Sequence, residues 1–155
     1  LGSPLRNRHR ALGSFLLPVA SFIALGGASP AQQTDVTVAV TNLRSTKGQV
    51  LACLTTQPKA FPDCAKDPQA RKLTVPTREP MELHFGVVPH GRYAISLIHD
   101  ENANGKLDTR LIIPREGYGF SRDAAVRMGP PKFDSAAFEV GAEPVRMTIR
   151  MRYLL

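Results

Sequence analysis

Between His99 and Asp108 the chain reads His99-Asp100-Glu101-Asn102-Ala103-Asn104-Gly105-Lys106-Leu107-Asp108. Asp100, Asn102 and Asn104 recur at alternate positions, and Gly105 follows at once. Calcium is a hard cation that takes about six to eight oxygen ligands. Alternate side chains on a curled loop can supply several of them, and a glycine permits the sharp turn that makes them converge. The main-chain carbonyl of Lys106 offers a further oxygen, and Asp108 occupies the ninth place of the loop. The first, third, fifth, sixth and ninth places of an EF-hand-type loop are therefore chemically suitable. The twelfth is not, because Leu111 stands where that loop carries a bidentate Glu. The flanks also read as a strand before and an irregular segment after, not as two helices. A bound Ca²⁺ would need oxygens from elsewhere, with Glu116 the first candidate and Glu101 the second. Two certain carboxylates imply weak binding, about 10⁻⁴–10⁻³ M. The same residues fit a second reading. Asn and Asp form side-chain-bonded turns unaided, and Asn-Gly is a common turn pair. Two expectations stand side by side: a Ca²⁺ site built on Asp100, Asn102, Asn104, Lys106, Asp108 and Glu116, or a turn alone.

His99 directly precedes this loop. It reads either as a base or ligand beside Asp100, or as the last residue of a strand. His84 and His90 lack the spacing of a zinc pair. No Ser sits in a G-x-S-x-G elbow, and neither Cys sits in a nucleophile pattern. No catalytic residue is assigned. The leading expectation is a non-enzymatic binding or structural module. The alternative is a hydrolase acting on envelope material through His99 and Asp100. A third reading sets the basic face of the last strand against an anionic surface.

The N-terminus carries an address. Arg6-Asn7-Arg8-His9-Arg10 is basic, Ala11 to Gly26 is apolar, and the small residues Gly27-Ala28-Ser29-Pro30-Ala31 follow. That is the layout of a cleavable secretory signal over residues 1–31. Pro18 interrupts the apolar stretch, which falls short of the ~20 residues of a spanning helix. The mature form is therefore expected in the periplasm or secreted, without a transmembrane segment. Its partner would be an envelope protein or polysaccharide.

Export changes how Cys53 and Cys64 read. In an oxidising compartment a lone pair at this spacing is most simply a disulfide, closing the Thr55–Asp63 loop. A metal pair or a reactive thiol is the alternative. Without Arg6, Arg8 and Arg10 the chain holds 20 − 3 = 17 Lys and Arg against 13 Asp and Glu, a charge of +4. No basic run interleaved with aromatics appears, so nucleic acid is not an expected partner.

The elements that must carry the loop are strands. Val36, Val38 and Val40 alternate with polar or small residues, and Val50–Leu54 is more continuously apolar. Arg44–Lys47 between them reads as a turn joining a hairpin. Lys72–Val75 and Met81–Phe85 are short strand candidates, and Phe61–Gln69 reads as loop. Tyr93, Ile95 and Leu97 share one face of another strand. In the last strand Val145, Met147, Ile149 and Met151 oppose Arg146, Thr148, Arg150 and Arg152. About seven such strands over residues 35–155 predict one all-β domain. Its expected fold is an antiparallel β-sandwich, transthyretin-like or immunoglobulin-like. The Gly117-Tyr118-Gly119-Phe120 block either exposes rings for stacking or packs tightly over a sheet.

Three blocks carry a resemblance. The first is Gly91-x-Tyr93-Ala94 with His99-Asp100-x-Asn102-x-Asn104-Gly105-x-Leu107-Asp108. The second is Pro114-Arg115-Glu116-Gly117-Tyr118-Gly119-Phe120-Ser121. The third is Gly129-Pro130-Pro131-Lys132-Phe133-Asp134-x-Ala136-Ala137-Phe138. In this order they resemble the bacterial exported family called domain of unknown function 2141, from about residue 35 to the C-terminus. His90 and Ile113 depart from that pattern. The resemblance implies an exported β-sandwich and carries no activity. The acidic loop and the two later blocks are expected in one layer at the same end of the sandwich.

Overall fold

Alternating burial along Met81–Pro89 and the outer strands, and burial on both faces of Gly91–Asp100 and Gly117–Phe120, build two facing sheets. The computed structural model describes residue 2 and residues 31–155. The expected export segment lies outside the described residues, residues 2 and 31 apart. Ten strands follow in chain order: β1 (Gln33–Thr41), β2 (Gln49–Thr55), β3 (Arg71–Pro76), β4 (Met81–Pro89), β5 (Gly91–Asp100), β6 (Thr109–Arg110), β7 (Ile113–Pro114), β8 (Gly117–Phe120), β9 (Phe138–Val140) and β10 (Val145–Arg150). A 3₁₀ turn at Ser121–Asp123 and a single helical turn, α1 (Phe133–Ala136), are the helical pieces among the described residues.

One sheet runs β10-β1-β4 and the other β3-β2-β5-β8, with β9 pairing the start of β5. These two paths hold seven strands, in keeping with the expected number, although β8 was not among the segments read as strands. Their inward residues merge into one buried cluster. It includes Val36, Val38 and Val40 from β1, Leu54 from β2, Leu83 from β4, Ile95 and Leu97 from β5, and Ile149 from β10. Each such large side chain contributes about 1.5–3 kcal/mol by leaving water. The outer face of β5 is covered too. Ala94, Tyr118, Phe120, Phe133, Ala136 and Ala137 form a second cluster there. Phe61 meets Phe120 and Phe133 edge-on, with centroids 5.8 and 6.1 Å apart. Both clusters and every long strand lie within residues 33–153, so this region carries its own core.

Two expectations are corrected. β1 and β2 do not form a hairpin; they lie in different sheets. Both edges of β1 are occupied, by β4 antiparallel and by β10 parallel, so the Arg44–Lys47 segment crosses between sheets instead. The sandwich is thus antiparallel except at β1 and β10, where Val36 pairs Val145 through to Thr41 with Arg150. The Phe133–Phe138 block does not share the acidic loop's end. β9 pairs Tyr93 with Phe138 at the start of β5, whereas the loop follows Asp100 at its finish. The strand from Tyr93 to Asp100 separates them by roughly 23 Å.

The Gly117–Phe120 block packs rather than presenting rings. All four of its residues are buried in β8. A Cβ on Gly119 would lie 2.8 Å from the Ile149 side chain, so only glycine lets β8 approach β10 this closely.

Candidate functional site

Asp100 closes β5 directly opposite Gln49, the first residue of β2. Its side chain is fully buried. Oδ1 accepts the Asn104 N–H at 3.0 Å, while Oδ2 accepts the Gly105 N–H at 2.7 Å and the Gln49 side-chain amide at 2.8 Å. The loop is thereby curled over the carboxylate that begins it. Two overlapping side-chain turns tighten it. Asn102 Oδ1 accepts the Asn104 N–H at 3.0 Å, and Asn104 Oδ1 accepts the Lys106 N–H at 3.1 Å. Gly105 takes φ +81°, a conformation that costs a residue with a Cβ.

Curling brings both amides onto Asp108. Asn102 Nδ2 lies 2.7 Å from Asp108 Oδ2, and Asn104 Nδ2 lies 3.0 Å from each Asp108 oxygen. Glu116, almost wholly buried, fastens both ends of the loop. Its Oε1 accepts the Glu101 N–H at 3.1 Å and its Oε2 the Asp108 N–H at 2.9 Å. Asp100, Asn102, Asn104, Asp108 and Glu116 are therefore one hydrogen-bonded unit. Lys106 joins through its N–H, and its side chain is exposed. Among the described residues, no three or more His, Cys, Asp or Glu side chains form a metal-holding group. A cation at this loop would rely on amide and main-chain oxygens as well as carboxylates.

Glu101 is engaged elsewhere. Arg44 Nε donates to its Oε2 at 2.9 Å, and Ser45 Oγ to its Oε1 at 2.7 Å. Arg44 also donates to the Arg115 carbonyl at 2.8 Å and lies 4.5 Å over the Tyr153 ring. This one guanidinium joins the β1–β2 crossover, the acidic loop, the approach to β8 and the C-terminal segment.

The charges follow from these contacts. Burial works against ionisation of Asp100, yet hydrogen bonds from Gln49 and the N–H groups of Gly105, Asn104 and Ala103 together hold its carboxyl below the usual range. For Glu101 the Arg44 hydrogen bond dominates, and the group is again held low. The Asn104 and Asn102 amides lower Asp108. Hydrogen bonding to Glu101 raises Arg44 in turn. The rim thus carries carboxylates in their charged form.

His99 behaves as a structural residue. It is fully buried, with Nε2 2.9 Å from the Lys47 carbonyl and Nδ1 2.7 Å from the Tyr153 hydroxyl. A carbonyl only accepts, so Nε2 carries a hydrogen and Nδ1 faces the phenol. Neither nitrogen is left for a substrate.

Cys53 and Cys64 are joined as a disulfide with Cα atoms 6.2 Å apart, which ties β2 to the Phe61–Gln69 segment. Residues that the sequence did not flag are Arg44, Ser45, Gln49 and Tyr153. Each lies more than fifty positions from its partner in the loop or in His99, so no local spacing signals them.

Residues 38–148 match the family described as an uncharacterized protein conserved in bacteria (DUF2141). The chain belongs to this family. The stretch that matches DUF2141 takes in the whole acidic loop, Glu116, Arg44 and both cysteines. Neither a curated protein nor a solved structure matches this DUF2141 chain.

Proposed function

We propose that this DUF2141 domain is an exported, non-enzymatic binding or structural module of the bacterial envelope, with its Asp100–Asp108 loop ordered by Ca²⁺. The observation that carries the reading is the convergence of the Asn102 and Asn104 amides on the Asp108 carboxylate within 3.0 Å. Asp100 and Glu116 bound the same loop. The same two Asn residues can present Oδ1 to a cation without turning over their amides. The Oδ1 atoms already accept one N–H each, and a carbonyl oxygen retains a second lone pair. The Lys106 carbonyl and the Glu116 carboxylate complete the proposed ligand set. The N-terminal address supports the periplasm or the exterior as the place, and an envelope protein or polysaccharide as the partner class.

A hydrolase using His99 and Asp100 is the less favoured reading. Both side chains are buried, and their hydrogen-bonding atoms are already partnered within the domain.

Calorimetric titration with Ca²⁺ and thermal melts in Ca²⁺ or chelator test the proposal. The expected Kd is about 10⁻⁴–10⁻³ M. At tenfold excess over Kd, linkage adds about 1.4 kcal/mol, or roughly 5 °C in Tm. Asp108→Ala should abolish both responses. No heat of binding and no shift in Tm at millimolar Ca²⁺ would overturn the assignment.

A further inference from the structure

The β6–β7 hairpin breaks two rules at once. Its two-residue turn is Leu111-Ile112, where such turns ordinarily carry Gly, Asn or Asp. Leu111 takes φ +58°, a left-handed conformation that disfavours a side chain. Both turn residues also stand almost free of the protein: Leu111 is 90 % exposed and Ile112 92 %, with Ile113 beside them at 41 %. Three large apolar side chains in succession are thus held out into solvent on a strained turn, directly after the acidic loop. Local strain and exposed apolar surface coinciding at one place point to contact with something else.

The surroundings say what. Arg110 stands opposite Ile113 across the hairpin, and Arg115 follows Pro114. Both arginines are exposed. Of the two acids that flank the hairpin in sequence, Asp108 has its oxygens capped by the Asn102 and Asn104 amides, and Glu116 is buried on the Glu101 and Asp108 N–H groups. An apolar tip with a cationic collar matches the layering of an anionic bilayer: phosphate at the surface, hydrocarbon beneath. The size fits as well. A standard protein interface buries about 800 Å² on each partner, far more than three side chains on a narrow tip supply. Entry of about 5–10 Å into the headgroup boundary needs no more than such a tip.

We infer that the Leu111-Ile112-Ile113 hairpin is a membrane-docking wedge that inserts into an anionic phospholipid surface, with Arg110 and Arg115 meeting the phosphates. This inference does not depend on the proposed Ca²⁺ site. The chain contains no tryptophan, so Ile112→Trp supplies a single local reporter. The substitution is made at an exposed turn position and touches neither buried cluster. The full-length chain carrying it is mixed with phosphatidylglycerol vesicles or phosphatidylcholine vesicles in chelator. Indole emission should shift to the blue and be quenched by brominated acyl chains in the anionic vesicles. Arg110→Glu with Arg115→Glu in the same background should weaken that response at least tenfold, since each basic residue near an anionic surface contributes roughly fivefold. Because the reporter sits in the hairpin, attachment through residues 11–26 alone leaves its emission unchanged. Unchanged emission with anionic vesicles overturns the inference. So does an equal response to both vesicle types that survives the charge reversal. A blue shift without vesicles that grows with protein concentration also overturns it, because that would mark contact between copies of the chain.

Discussion

At the Asp100 carboxyl, burial and hydrogen bonding pull in opposite directions, and hydrogen bonding prevails. The same outcome holds at Asp67, where the Thr55 hydroxyl donates at 2.5 Å and outweighs burial. Glu101 and Asp108 are held low as well. A carboxyl whose folded pKa lies below its unfolded value, about 3.9 for Asp and 4.3 for Glu, binds fewer protons in the native state. Its stabilising effect is fully present above the unfolded value and disappears as the pH falls through the folded one. Denaturant midpoints should therefore be level from about pH 6 to 5 and fall steadily below about 4. A midpoint that stays constant down to pH 3 would contradict the assignment of these four groups. Asp108 was already marked in the sequence by its ninth place in the loop, and the structure brings it against the Asn102 and Asn104 amides. The buried state of Glu116, and its use on two N–H groups at once, was not so marked. Its distance of eight residues from Asp108 is bridged by the β6–β7 hairpin, whose pairing is not encoded in any alternating pattern.

Among the elements, the junction of β2 with β5 fixes where the loop sits. Gly48, just before β2, takes φ +68°. A Cβ there would lie 2.0 Å from the Asp100 carbonyl oxygen and 2.7 Å from Glu101 main-chain atoms. Backbone cannot yield as a flexible side chain can, so the two segments would have to part. Gly48→Ala should cost more than about 2 kcal/mol, combining that clash with an unfavourable φ. It should also speed amide exchange at Glu101 and Gly105 relative to the residues of β5. Loss of stability spread evenly over the domain would argue against local displacement. Strand identity was readable from the alternation of Val36, Val38 and Val40 and of Val145 to Met151, because period-two burial is a property of each segment by itself. Partner choice was not. β1 and β10 are joined in register across more than a hundred residues, and a turn-like Arg44–Lys47 segment suggested a nearer partner that β4 and β10 displace.

For the whole molecule, the disulfide is the one covalent tie between the sandwich and its long Phe61–Gln69 excursion among the described residues. Closing a loop of eleven residues' separation restricts the unfolded chain by about 2–3 kcal/mol in the entropy model. Reduction, or Cys53→Ser with Cys64→Ser, should lower Tm by roughly 10 °C. The excursion also supplies Asp67 to Thr55 and Phe61 to the outer cluster, so its loosening should expose the second core before the first. Fluorescent-dye binding that rises only at global unfolding would count against that order. No helix among the described residues is long and apolar enough to cross a membrane.

Residue types and short-range spacing alone determined the all-β sandwich and the oxygen-rich curl between Asp100 and Asp108. These depend on alternation, turn chemistry and composition, which act over a few residues. Tertiary structure decided the parallel meeting of β1 with β10, the gathering of Arg44, Gln49 and Glu116 around the loop, and the projection of Leu111-Ile112-Ile113 into solvent. Those outcomes depend on which distant surfaces compete for burial. An apolar side chain reads the same in sequence whether the finished fold covers it or leaves it bare.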